Sequence, residues 1–261
     1  MKYKGVDVTY SHQGVGETVV LLHGFLEERT MWETVTDQLR QNHTVIAVDL
    51  LGHGDSDCLG YVHGMEEQAE AVKQVLDEEQ IESCILVGHS MGGYVALALA
   101  RKYPVLIKSL ALFHSTALPD SKEKQQDRER VIDLVKRNQE IYINAAIPTL
   151  FAPANVGRCT DEINKVVSIA QGFSKRGIIA NIRGMMQRKD CSDILKNGTF
   201  KKLIIQGTED SVISNESIHS QVELNANIDL QIIEGIGHMG HIEAPAKCQE
   251  IIVDFCADTI G

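Results

Sequence analysis

An excess of positive charge is the first thing this sequence lacks. Its 261 residues carry 25 Lys and Arg against 36 Asp and Glu, a formal net charge of −11. Nucleic acids and anionic membrane surfaces are held by basic faces, so neither is expected as a partner. Long apolar runs are missing too. None approaches the roughly 20 residues that span a bilayer, and the opening Met1-Lys2-Tyr3-Lys4-Gly5-Val6-Asp7 has no apolar stretch of the kind a signal peptide uses. There is no C-x-x-C pair. Cys58, Cys84, Cys159, Cys191, Cys248 and Cys256 are scattered, which gives structural zinc no ligand spacing and favours free thiols in a reducing cytoplasm. Internal repeats and low-complexity tracts are also absent.

What is present is a regular alternation. Apolar residues make up 43% of the chain, enough for a sizeable core. Residues 2–12 alternate around Gly5 and read as an antiparallel hairpin at a sheet edge. Residues 18–22 and 44–48 are continuous apolar runs, the signature of strands buried on both faces, and 84–88, 107–113, 201–206 and 229–233 read as strands as well. Helical spacing separates them over 31–39, 66–77 (with Ala69, Val72, Val75 and Leu76 inward), 91–102, 216–224 and 246–257. Strand and helix alternating over short loops imply a parallel sheet with helices on both faces. Between Thr116 and Asn197 the rhythm breaks and no strand is evident. Ser121 to Glu140 is densely charged, with Val131, Ile132, Leu134 and Val135 at helical spacing, and 162–170 and 178–187 read as further helices. The charges of this stretch are expected on a solvated helix face. The whole segment reads as an all-helical insertion between two sheet strands.

The run Cys84-Ile85-Leu86-Val87 leads into Gly88-His89-Ser90-Met91-Gly92-Gly93 and then into an alanine-rich helix. Gly88 to Gly92 fits G-x-S-x-G, the elbow that lifts a nucleophilic serine out of a strand-to-helix turn. Glycines on either side remove side chains that would crowd a strained backbone. A serine hydroxyl needs a base to take its proton and an acid to orient that base. In a parallel sheet such groups sit just past the carboxyl ends of strands. The loop after 201–206 offers Asp210 as the acid, with Glu209 as its substitute. The loop after 229–233 offers His238 as the base, with His241 as its rival. His238 and His241 have no third ligand at suitable spacing, so no metal is expected. Oxyanion donors are expected from the backbone N–H of Met91, just after the nucleophile, and of Phe25, in the His23-Gly24-Phe25 loop. His23 itself is expected to be structural.

These stretches resemble the α/β-hydrolase superfamily. The likeness is carried by His23-Gly24-Phe25, by Asp49-Leu50-Leu51-Gly52-His53-Gly54-Asp55-Ser56, by the elbow, and by Gly237-His238 with Glu243 and Pro245 behind it. It covers residues 2–115 and 200–260. The order Ser, Asp, His along the chain is the one that arrangement uses, and the family's Glu-x-Pro five residues after the histidine favours His238 over His241. The resemblance implies an α/β-hydrolase fold: a mostly parallel eight-stranded sheet with helices on both faces, a core domain of residues 1–115 and 198–261, and a helical cap over 116–197. Glu27-Glu28 depart from the small residues common after the oxyanion loop in relatives, and both are expected to face solvent.

The expectation that follows is a serine hydrolase, carboxylesterase-like and cofactor-free, with Ser90, Asp210 and His238 catalytic. It would cleave small to medium carboxylic esters through an acyl-enzyme. Carbon–carbon bond hydrolysis, lyase or cofactor-free peroxidase chemistry on the same residues stays open, as does a hydrolase-like small-molecule receptor. His114, Leu150, Phe151, Phe173 and Met239 are expected to line an apolar pocket suited to uncharged groups. Monomer and homodimer both fit.

Overall fold

A computed structural model of the chain describes residues 1–258. The chain opens with β1 (Lys2–Tyr3) and β2 (Val6–Asp7), which pair with each other around Lys4 and Gly5, both at positive φ. Next come β3 (Tyr10–Gln13), β4 (Glu17–Leu22), β5 (His43–Val48), β6 (Cys84–His89), β7 (Ile107–Phe113), β8 (Lys201–Gly207) and β9 (Ile228–Ile233). These form one sheet in the order β3-β5-β4-β6-β7-β8-β9, parallel except for β3. It has seven strands among the described residues, not the eight expected. The tight turn at Lys4-Gly5 closes the first hairpin on itself, and only Tyr10–Gln13 reaches β5.

The helices are α1 (Glu33–Leu39), α2 (Met65–Glu78), α3 (Met91–Lys102), α4 (Lys122–Arg137), α5 (Gln139–Ala146), α6 (Thr160–Gly172), α7 (Lys175–Met186), α8 (Ser192–Asn197), α9 (Asn215–Val222), α10 (Gly240–Glu243) and α11 (Pro245–Ala257). Side chains alternate across each strand, so the sheet feeds two cores. Val20, Leu22, Ile46, Val48 and Leu86 pack with residues of α2 and α3. Val19, Leu21, Val45, Ile85, Val87 and Phe113 pack with Trp32, Leu39, Ile252 and Phe255, which lie on or beside α1 and α11. Helices α4 to α8 fall between β7 and β8. There α4 packs on α5 and α7, with Ile132 and Val135 buried. Leu134, at helical spacing with them, is exposed. No helix of the described residues is long and apolar enough to cross a membrane, and the six cysteines are free thiols.

Strand order fixes where a site can form. From β4 the chain steps outward to β5, then returns to β6 on the other side of β4. The loops leaving β4 and β6 therefore diverge, and a crevice opens past their carboxyl ends.

Candidate active site

Ser90 stands alone between the end of β6 and the start of α3, at φ 48° and ψ −113°. A non-glycine residue is strained there and persists only when its surroundings hold it. They do. The Ser90 N–H donates to the Phe113 carbonyl (2.9 Å), and the Ser115 hydroxyl donates to the Ser90 carbonyl (2.7 Å). The flanking glycines are needed for room. A Cβ on Gly88 would lie 2.5 Å from the backbone of Gly92 and Gly93, and one on Gly92 would strike the Leu22 carbonyl.

The Ser90 hydroxyl lies 2.8 Å from His238 Nε2, and His238 Nδ1 lies 2.9 and 3.1 Å from the two oxygens of Asp210. An ionised carboxylate only accepts, so Nδ1 carries the ring proton and Nε2 presents its lone pair to the serine. Asp210 also accepts from the Val212 and Ile213 N–H groups (2.8 and 3.0 Å) and from His114 Nδ1 (3.1 Å). Burial alone would raise its pKa, but His238 and His114 hold it well below the usual carboxylate range. The substitutes stay apart from this chain. Glu209 is exposed, and His241 faces Glu27.

His114, expected to line the pocket, instead lies fully buried behind Asp210, at φ 47°. Burial pushes its pKa down to about 4 despite the adjacent carboxylate, so it donates to Asp210 as a neutral ring. Donor atoms of His114, Asp210 and His238 lie within 4.8 Å of one another, close enough for a shared metal. Each Nδ1 that a metal would take already points its proton at Asp210.

The loop after β4 brings its backbone to the same place. His23 is buried, and its ring bonds the Gly24 carbonyl (2.7 Å) and the Leu50 N–H (2.9 Å). The Phe25 N–H makes no hydrogen bond among the described residues. Met91 opens α3, where the first N–H groups have no intrahelical partner.

Glu27 is a correction. Expected at the surface, it is 5% exposed and lies under this loop. Its Oε2 accepts from the Gly24 N–H (2.9 Å) and sits 2.6 Å from His89 Nδ1, while His89 Nε2 lies 3.0 Å from the His238 carbonyl oxygen. Both acceptors need a proton from the ring, so His89 is an imidazolium and the two side chains form a buried ion pair. Burial opposes both charges. His89 and His241 nonetheless hold Glu27 down at about 2, and Glu27 raises His89. His241 Nε2 lies 3.3 Å from the other Glu27 oxygen. Glu28 is half-buried.

A second buried carboxylate fastens the His238 loop. Glu243 accepts from the Gly237 N–H (2.9 Å) through one oxygen, and from the Ala152 N–H (2.9 Å) and Asn155 Nδ2 (2.7 Å) through the other. Arg158 donates to its carbonyl (2.7 Å), and the His238 N–H donates to the Leu150 carbonyl (2.7 Å).

A cavity of about 170 Å³ opens onto Ser90 and His238. Phe25, Leu150 and Met239 line it, as do Tyr94, Tyr142 and Met185. Phe151 and Phe173 do not. Both are buried in the core, and Phe173 meets the His53 ring edge-on at 5.2 Å. Leu150 ends a 3₁₀ turn, so the chain changes direction before Phe151. The wall also carries Lys124 and Arg128, which were expected at the solvated face of their helix. A helical pattern marks the apolar stripe but does not say which polar residues meet a cavity rather than water.

Fold, elbow and strand-end loops together define a class, and residues 17–154 match the model of that family, the alpha/beta hydrolase fold. The chain belongs to it. An uncharacterised protein of Mycobacterium tuberculosis is 30% identical over 94% of this chain and 77% of its own. A Bacillus subtilis protein named putative 2-succinyl-6-hydroxy-2,4-cyclohexadiene-1-carboxylate synthase is 25% identical over 96% of this chain and 95% of its own. The malate-bound structure of a thermophilic esterase from Thermogutta terrifontis is similar with a TM-score of 0.93 and 28% identity, over 99% of this chain and 96% of that one.

Proposed function

We propose that this hydrolase cleaves small to medium carboxylic esters, with Ser90 as nucleophile, His238 as general base and acid, and Asp210 as the acid that orients it. The observation that carries the reading is the continuous chain from the strained Ser90 hydroxyl through His238 to the buried Asp210. His238 Nε2 takes the serine proton as Oγ attacks the ester carbonyl. The carbonyl oxygen, now negative, receives the N–H groups of Phe25 and Met91. Each such donor contributes about 3–4 kcal/mol in the transition state. His238 then protonates the departing alcohol. Water, deprotonated by the same ring, attacks the acyl-serine and releases the acid, and Asp210 stabilises the imidazolium in both halves. No cofactor takes part. The thiols, five of them buried, suit a reducing cytoplasm as the place of action.

The test is Ser90→Ala. It is expected to lower turnover of p-nitrophenyl acetate and butyrate by at least about a thousandfold and to abolish labelling by a fluorophosphonate probe. Full ester turnover by the variant, or a label on another residue, would sink the assignment. A second reading, a different reaction on the same three residues such as carbon–carbon bond hydrolysis or lyase chemistry, is kept open by the likeness to a Bacillus subtilis protein named a putative synthase. Absence of ester turnover in the wild type would remove the first reading, and turnover of a vinylogous diketone would favour the second.

A further inference from the structure

We propose that the substrate carries a carboxylate, held by Lys124 and Arg128 while its ester carbonyl lies at Ser90; this names the substrate class within the ester-hydrolase reading and rests on it. Lys124 and Arg128 are four residues apart on α4, so they share one face, and both line the cavity that holds Ser90 and His238.

Neither cation has a carboxylate to itself. Lys124 Nζ makes one hydrogen bond, to the neutral carbonyl of Val212 (2.9 Å), and no ion pair among the described residues. Arg128 bonds Asp120 through Nε alone (2.6 Å), and Arg188 occupies the other oxygen of that carboxylate (2.6 Å). Two guanidinium groups therefore share one buried acid, and the terminal nitrogens of Arg128 make no hydrogen bond among the described residues. Glu27 also lines the cavity, but its charge is taken up by His89.

The wall thus carries an excess of positive charge, beside apolar side chains such as Phe25, Leu150 and Met239. Burial, with Arg128 and Arg188 nearby, lowers the pKa of Lys124, and Asp120 and Asp210 oppose that shift without cancelling it. A carboxylate corrects this. It accepts a paired hydrogen bond from the planar guanidinium and a point-charge contact from the ammonium. A cavity of about 170 Å³ leaves room for only a short chain between that carboxylate and the ester. Half-esters of short dicarboxylic acids, or short O-acyl hydroxy acids, have this form.

The test uses pairs of equal shape. Monomethyl glutarate is compared with methyl 4-carbamoylbutanoate, and acetoxyacetate with acetoxyacetamide, in the wild type, Lys124→Met and Arg128→Gln. In at least one pair the wild type is expected to favour the carboxylate in kcat/KM by about tenfold or more, chiefly through KM, and each variant to reduce that ratio by about tenfold. The responding pair tells whether the carboxylate belongs to the acyl or the alcohol side. Equal or better turnover of both amides, or a ratio that neither variant changes, overturns the proposal and leaves the ester reading standing. Should no ester be turned over, calorimetry with glutarate decides independently. Saturable binding lost in both variants sustains the carboxylate site, and no binding by the wild type removes it. Thermal melting accompanies Arg128→Gln, because Arg128 also braces Asp120. If that variant fails to fold, Lys124→Met carries the comparison.

Discussion

Glu27 joins two loops that the proposed chemistry needs together. Its carboxylate holds the Gly24 N–H and faces His89, whose other nitrogen donates to the carbonyl of His238. Breaking a buried pair by deleting one member leaves a charge uncompensated, at about 3–5 kcal/mol. Glu27→Ala is therefore expected to lose stability on that scale in urea denaturation. Glu27→Gln, which keeps the shape and one acceptor oxygen, should lose less. Equal stability of Glu27→Ala and wild type would contradict the pairing. Nothing local in the sequence reveals this role. Two adjacent glutamates in a loop look solvated, and the partner lies 62 positions on, at the variable position of the elbow. Ser90, Asp210 and His238 were easier to pick out, because each stands at a strand end in a fixed order. His114 was nameable as close to the centre, but not as a ligand of Asp210, since a register of seven paired strands decides which way it points.

At the scale of elements, legibility followed burial. The strands from β4 to β8 are covered on both faces and appear as continuous apolar runs, and α3 ends where Pro104 forbids its continuation. Residues 2–12 alternate as one hairpin, yet their pieces are short: β1 and β2 pair with each other around Gly5, and β3 pairs instead with β5. Helix α4 is the instructive case. Its apolar residues gave the helix, yet Leu134 is exposed while Lys124 and Arg128 line the cavity. The helix begins at Ser121, whose hydroxyl accepts from the Lys124 N–H (3.1 Å). Ser121→Ala is expected to cost about 1 kcal/mol, read as a lower midpoint in urea followed by far-ultraviolet dichroism. An unchanged midpoint would mean that packing on α5 and α7 alone sets the helix start.

The whole molecule stores protonation as stability. Burial pushes His63, His114 and His241 down to about 4, from an ordinary value of 6.5. A depressed folded pKa means that unfolding takes up protons in acid, so this contribution is present above pH 6.5 and is lost as pH falls through about 4. Glu27, held at about 2, acts in the same sense further down. His89 is raised, and its contribution runs the other way, fading as pH rises through its folded value. The melting temperature is expected to drop steeply between pH 6.5 and 4 in scanning calorimetry, and a flat profile would refute the balance. Glu243 sets how the molecule can breathe. It binds Gly237 on the sheet side and Ala152 and Asn155 on the helical side. Lifting the helical layer at that seam would break several buried bonds at once, which makes separation there costly. Among the described residues the layer meets the loop of Asp210 through two bonds, from Lys124 to the Val212 carbonyl (2.9 Å) and from Ser211 to the Thr149 carbonyl (2.8 Å). Both of these bonds leave from single side chains, so the side of the charged helix is fastened by fewer buried groups than the Glu243 seam.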